Sequence, residues 1–394
     1  VVYSHHKIYE SGQFAYSYNA SSATPTWLFK ANNAANGGVD ASLTTLVVDP
    51  AIHTSGKRLW AGGFGYGTTN RVIQGWDAGS GATWSDMSYG LPKSPVNALV
   101  YDPESHYLFA GTDQGIYAFY VDGAANSSSN PWVCYSLNLP NTYITGLDIN
   151  RCTGKIYASS FGRGVYQAEL PTPPIEYIST GTPVIWSQDK HQFRNIVVPS
   201  GANLTISNCK IYMGRDMSIK VMPGGKLTVQ NATITNNCEG CFWTGISAIG
   251  NPALAQVPST NQGQVSILNS KIANARAAVS SYDYSSSTPL SNTGGIIHAI
   301  GSTFENNYNC VLMQPYTAPV TPAAPDRSYF KGCTFENNTK CRGFDISLPM
   351  KAQMSISGIH GLKIAGCSFI NRDWRLYKVG EGVGIRSYNS SISV

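Results

Sequence analysis

One ten-residue phrase returns through the second half of the chain, and it constrains the fold more than any other feature. It reads LTISNCKIYM from Leu204, LTVQNATITN from Leu227, VSILNSKIAN from Val265, IHAIGSTFEN from Ile297, SYFKGCTFEN from Ser328 and LKIAGCSFIN from Leu362, aligned without a gap. The fifth position is always Asn or Gly. The sixth is always small: Cys209, Ala232, Ser270, Ser302, Cys333, Cys367. The eighth is always large and apolar: Ile211, Ile234, Ile272, Phe304, Phe335, Phe369. Successive small positions stand 23, 38, 32, 31 and 34 residues apart. The shortest spacing is about one coil of a parallel β-helix, and the excess is room for loops.

The physics of such stacking is direct. Each coil lays its strand on the previous one at about 4.8 Å, so equivalent residues queue in columns. An Ile and Phe column makes a continuous core. A small column lets the chain bend where a larger residue would collide. Asn or Gly just before the bend accepts the left-handed conformation that a tight corner needs. A Pro-x-Gly turn at Pro199 and at Pro223 leads into the first two phrases. No coil folds alone, because neighbours bury each other.

The first half repeats a different sentence. LTTLVVDPAIHTSGKRLWAGGFGYG starts at Leu43, VNALVYDPESHYLFAGTDQGIYAFY at Val96, and ITGLDINRCTGKIYASSFGRGVYQAEL at Ile144. Each is an alternating strand, a polar turn, a second strand, a small-residue turn and a third strand. The anchors Asp49, Asp102 and Asn150 lie 53 and 48 residues apart. A period near 50 built from short strands signals propeller blades. The run PTPPIEYISTGTP then stops the ladder, since proline lacks the N–H and fixes φ. The expected organisation is all-β: residues 1–170 a partial β-propeller of three to four blades, 171–185 a proline-rich linker, and 186–394 a parallel β-helix of about six or more coils.

Both halves resemble known families. WDAGSGATWSDMSYGLP (Trp76 to Pro92) resembles the Asp-box turn of sialidase-like repeats. Gly81, Thr83 and Trp84 match it, while Gly79 stands at its Asp and Asp77 at its Ser. KIYESGQFAY from Lys7 resembles an eroded copy. GKIYASSFGRGVYQAEL resembles the last blade of sialidase-, sortilin- and xyloglucanase-type propellers in secreted Bacteroidetes proteins. The coils resemble the right-handed parallel β-helix that follows such a propeller, and FWTGISAIG (Phe242 to Gly250) resembles its Trp-x-Gly-Ile strand. The resemblance implies a right-handed helix, a bacterial cell-surface location and type IX secretion. The catalytic residues of a sialidase do not map onto these blades. A closed propeller needs at least four blades. The chain also opens inside a strand pattern and stops in mid-pattern. It is therefore expected to be part of a longer chain that supplies the missing blades, or to complete itself by end-to-end assembly.

Composition narrows the function classes. Charged residues are 12% of the chain and the net charge is +5. The basic residues form no run of four or more, so no nucleic-acid stripe is expected. No apolar stretch approaches the length of a membrane span. Of nine cysteines, Cys209, Cys333 and Cys367 sit in the small column as buried fillers. Cys134 with Cys152 is a candidate bridge across one blade. Cys238-x-x-Cys241 is a local disulfide or two free thiols, since a lone CxxC says little for zinc or redox chemistry. Cys310 with Cys341 is disfavoured by parallel Cβ vectors.

Chemistry is sparse. Glu305 and Glu336 share the ninth position of the phrase and should stack outside the coil. Tyr212, Thr235, Ala273 and Ile370 hold that column elsewhere, which favours a surface ladder over a glycosidase pair or a calcium site. No cofactor is expected, calcium being the one ion left open. The densest charged and aromatic group is Arg342, Asp345, Arg372, Asp373, Trp374, Arg375 and Lys378, on late coils. It could grip an acidic glycan, with Trp374 stacking on a sugar. No catalytic residue is assigned. The expected function is a non-enzymatic extracellular surface or structural protein, an adhesin or fibre-like element whose partner is a glycan or another surface protein. The alternative is a polysaccharide lyase or glycoside hydrolase working on a β-helix face.

Overall fold

In the computed structural model, residues 2–4, 13–17, 28–31, 43–51, 58–66, 71–76, 85–136, 138–316, 324–338, 352–372 and 383–393 are described. The chain divides into two compact units, Val1–Pro173 and Pro174–Val394. Both are all-β, and no α-helix occurs among the described residues.

In the second unit, strands fall into three parallel sheets of eight, eight and seven members. The first runs from Glu176–Tyr177 to Val383–Tyr388, the second from Val184–Trp186 to Ser391–Ser393, and the third from Lys190–Gln192 to Ser368–Asn371. Within each sheet, every strand pairs with the one three strands later, so the chain visits the sheets in turn. This is the arrangement of a parallel β-helix.

The phrase spans the second sheet, one corner and the third sheet. Its fifth position has a left-handed backbone in all six copies: φ is 54° at Asn208, 50° at Asn231, 46° at Asn269, 57° at Gly301, 60° at Gly332 and 61° at Gly366. The eighth position forms one register column, Ile211, Ile234, Ile272, Phe304, Phe335, Phe369. Its rings stack nearly parallel, with centroids 5.0 Å apart for Phe304–Phe335 and 4.9 Å for Phe335–Phe369. Burying each such side chain is worth about 1.5–3 kcal/mol. The core is one continuous cluster from Ile178 to Ile364.

The small column does more than avoid collision. The Ala232 N–H donates to Ser270 Oγ at 3.1 Å, the Ser270 N–H to Ser302 Oγ at 3.2 Å, and the Cys333 N–H to Cys367 Sγ at 3.4 Å. Each side chain thus takes up a backbone donor from the coil before it, at a bend where the sheet ladder is interrupted.

One expectation needs correction. The linker is shorter than 171–185, because Glu176–Tyr177 already pairs with Ile196–Val198, and Val184–Trp186 with Asn203–Ser207. Prolines interrupt the chain only to Pro174. Pro183 merely precedes a strand, where its missing N–H costs little. The rungs number eight in the longer sheets, in keeping with six or more coils, and the first and last lack the phrase.

The first unit consists of successive antiparallel sheets, each a meander. Among the described residues they are Val2–Ser4, Gln13–Ser17 and Leu28–Ala31; then Leu43–Val48, Arg58–Gly63, Val72–Trp76 and Ser85–Asp86; then Val96–Asp102, Tyr107–Thr112, Gly115–Tyr120 and Val133–Cys134; then Ile144–Asn150, Lys155–Ser160 and Gly164–Glu169. Leu43–Val48 lies against Val96–Asp102, which lies against Ile144–Asn150, so the first strands of these three sheets are neighbours. Trp60, Leu108, Phe119 and Trp132 are buried in one cluster, and Phe109, Ile116, Ile144 and Ile156 in the next. The Asp-box-like turn, residues 77–84, and most of the copy from Lys7 lie outside the described residues.

The repeat anchors have one shared task. Asp49 Oδ1 accepts the Ala51 N–H at 2.9 Å, Asp102 Oδ1 the Glu104 N–H at 3.3 Å, and Asn150 Oδ1 the Cys152 N–H at 2.9 Å. Each closes the turn after its strand with its own side chain. The two carboxylates are buried, and each meets an arginine. Arg58 reaches Asp49 at 2.9 Å within one sheet, while Arg151 of the next sheet pairs with Asp102.

Candidate functional site

In sequence, the charged group on the late coils falls between third-sheet strands and the first-sheet strands that follow them. Asn337 and Asn371 are register partners where the third-sheet strands end. Ala352 and Val383 are partners where the first-sheet strands resume. Segments 338–351 and 372–382 therefore leave and re-enter the helix on adjacent rungs. Of the candidate residues, Arg342, Asp345, Asp373, Trp374, Arg375 and Lys378 lie outside the described residues.

Arg372 is described. Its backbone N–H donates to Asn337 O at 2.7 Å, extending the ladder by one residue. Its side chain is 63% exposed, and Nε donates to Glu336 Oε1 at 2.8 Å. Glu305 stacks beside Glu336 in register and pairs with Lys271. Each carboxylate of this pair thus has its own cation. The two form a surface ladder, as the column composition suggests, with each charge offset in place.

Asparagines build the foot of this corner. Asn338 donates its N–H to Asn306 Oδ1 at 2.8 Å, and Asn306 Nδ2 donates to Asn338 Oδ1 at 2.9 Å. Asn307 is buried; its Nδ2 donates to Ile272 O at 3.0 Å and its Oδ1 accepts the Ala275 N–H at 2.8 Å. Gln353 donates Nε2 to Phe335 O and Ile370 O at 3.1 and 2.9 Å. Asn337 Oδ1 and Gln353 Oε1, both buried, have no hydrogen-bond partner among the described residues. Side-chain amides thus tie the rungs on which the chain leaves the third sheet.

The corner between the first and second sheets also carries long loops, and a buried carboxylate ties them. Gln256 Nε2 donates to Asp326 Oδ2 and to Gly294 O, both at 3.1 Å, and Gln256 Oε1 accepts the Arg327 N–H at 2.8 Å. Burial raises the Asp326 pKa, partly opposed by hydrogen bonds from Ser328 and Gln256. Sequence reasoning did not find this pin, because its members lie in three unrelated loops.

Neither candidate disulfide pairing forms, because Cys134 and Cys241 are free thiols. Cys134 sits exposed on an outer strand, its Sγ turned to Ser136 Oγ at 3.4 Å. Cys238 and Cys241 are joined instead by a turn, Cys241 N–H to Cys238 O at 3.2 Å. Cys209 and Cys333 of the small column are buried free thiols, and Cys367 is a half-buried one. Burial pushes the Cys310 thiol up to about 12 and the Cys333 thiol up to about 11, so neither forms a reactive thiolate near neutral pH.

No group of three or more His, Cys, Asp or Glu side chains placed to hold a metal ion occurs among the described residues. No helix among them is long and apolar enough to cross a membrane. Comparison with protein families, with curated proteins and with solved structures returns no match.

Proposed function

We propose that this chain is a non-enzymatic extracellular surface or structural protein, an adhesin or fibre-like element. On this reading the helix is right-handed, as nearly all parallel crossovers are, and the meanders are blades of a sialidase-like propeller. The bacterial cell surface and type IX secretion follow from the Bacteroidetes resemblance alone. The ligand is an acidic extracellular glycan held at the late-coil corner, and a second surface protein or end-to-end assembly is a further partner. The observation that carries the reading is the pairing of Asn337 with Asn371 and of Ala352 with Val383. The chain leaves and re-enters the helix there on adjacent rungs, and the sequence between those points holds six cations, Arg342, Arg372, Arg375 and Lys378 among them, against three carboxylates, Asp345, Asp373 and Glu381. A rigid parallel scaffold suits display of such loops.

The test is affinity electrophoresis in polygalacturonate gels, comparing the wild-type chain with an Arg372→Ala, Arg375→Ala, Lys378→Ala variant. The expected result is retardation of the wild-type chain that is lost in the variant. Absence of retardation removes the glycan reading. Appearance of reducing ends or unsaturated products, with or without calcium, establishes the polysaccharide-degrading alternative and removes the non-enzymatic one.

A further inference from the structure

The first unit carries an exposed aromatic cluster that the late-coil corner does not explain. In an antiparallel meander, the entry to the first strand and the turn between the second and third strands lie at the same end of the sheet. Three neighbouring sheets place aromatic or hydrogen-bonding side chains at that end. Phe64 and Tyr66 follow Arg58–Gly63. Asn97 lies in Val96–Asp102, and Asp113 follows Tyr107–Thr112. Tyr143 precedes Ile144–Asn150, and Phe161 follows Lys155–Ser160.

These side chains touch. Phe64 and Tyr66 meet edge to face with centroids 6.3 Å apart, and Tyr143 and Phe161 do the same at 6.4 Å. Asp113 follows a strand of the middle sheet. Tyr66 Oη donates to its Oδ2 at 3.3 Å and Asn97 Nδ2 to its Oδ1 at 2.9 Å. The Asp113 charge, first of all, and the nearby Tyr143 raise the Tyr66 hydroxyl above its ordinary pKa. The rings are open to solvent: Phe161 is 77% exposed, Tyr66 65%, Phe64 49% and Tyr143 39%. Large aromatics so exposed and so gathered lie outside the ordinary scatter of surface apolar residues.

The geometry points to this cluster as a second binding site, for a neutral, hydroxyl-rich polysaccharide. The apolar face of a pyranose stacks on an aromatic ring, while its rim hydroxyls need donors and acceptors beside the ring. Here two aromatic pairs stand at the same end of the sheets as a carboxylate with further acceptor capacity, the Tyr66 phenol and an amide. A cationic ligand fits less well. A cage must enclose its ammonium, whereas these rings stand open, and the exposed Arg163 in the Phe161 turn repels positive charge. The inference extends the reading of a glycan-contacting surface protein, but on a different unit and for an uncharged glycan. Its failure therefore leaves the late-coil corner untouched, and the polygalacturonate test leaves this cluster untouched.

The experiment uses the full chain in native gels containing soluble β-glucan or mannan. It compares wild type with Phe161→Ala and with Tyr66→Phe, and checks all three by thermal unfolding. Phe161 is too exposed for its loss to unfold the sheet, and Tyr66→Phe keeps the ring while removing the hydroxyl. The expected result is retardation by at least one of the two glycans, weakened at least about tenfold by Phe161→Ala and less by Tyr66→Phe. No retardation by either glycan, or equal retardation of wild type and Phe161→Ala, overturns the proposal. So does retention on choline-agarose without retention by glycan.

Discussion

The two units solve the same problem, a repeated β motif, in opposite ways. In the coils a residue's nearest neighbour is its own equivalent one turn on. In the meanders its neighbours are different residues of the same sheet or the next. The phrase therefore stays in register through six copies, since a change at one position disturbs a whole column. The meander repeat keeps only its Asx turns: Asp49, Asp102 and Asn150 cap alike, yet Asp49 pairs within its sheet and Asp102 with the next. Stability should follow this contrast, shared along columns in one unit and held in single buried pairs in the other.

The sharpest way to break the comparison is Phe335→Ala. The ring is buried between Phe304 and Phe369 and meets Phe330. Truncation leaves a cavity that stacked coils cannot close by shifting one strand. A loss of about 3–5 kcal/mol is expected, read by urea denaturation. A loss below about 1 kcal/mol would mean that the column is not continuous. Asp102→Asn tests the other unit. It removes the negative charge that Arg151, whose side chain is 15% exposed, pairs with at buried Asp102. The expected loss is about 3 kcal/mol, and most of it should return in an Asp102→Asn, Arg151→Met double variant. A double variant as unstable as the single one would show that the pair's geometry, not its charge, matters.

How much of this was legible beforehand follows from the same contrast. The phrase gave the columns, the left-handed corner and the outer glutamate ladder, because in stacked coils sequence equivalence is spatial contact. The terminal rungs Glu176–Tyr177 and Ser391–Ser393 were not legible, since an end rung has one neighbour and need not keep the motif. The cysteine pairings were not legible either, since spacing along the chain does not set the distance and direction a disulfide needs. In the meanders, the turns carrying Phe64 and Phe161 could be read as small-residue turns, but only the fold brings Tyr143 and Asp113 to them. Of the late-coil residues, the sequence showed the charge density, and the structure adds the adjacent rungs beneath it and the Arg372–Glu336 contact.

Gly332→Ala isolates the corner from the core. Gly332 has φ of 60°, and a Cβ added there meets nothing within 4 Å. Any cost is therefore backbone strain alone, about 1 kcal/mol. Gly332→Asn should cost less, because Asn208, Asn231 and Asn269 already hold the equivalent corners at similar φ. Equal losses for Ala and Asn in urea titrations would separate the fifth-position rule from left-handed geometry.

Glu336→Gln should have the smallest effect, and it sharpens the comparison from the outside of the coil. Its carboxylate accepts from Arg372 at 2.8 Å, with the arginine 63% exposed. Water screens such a pair, so its worth is within about 0.5 kcal/mol. The like charge of Glu305, one rung away, works against Glu336, and removing one of two stacked carboxylates relieves that repulsion. The two terms oppose, and the midpoint of unfolding should stay within error of wild type in low salt and in high salt alike. A clear destabilisation that vanishes with added salt would instead show that the outer column contributes to stability as the inner one does. The division between a core that stabilises and a surface free to carry loops would then fail.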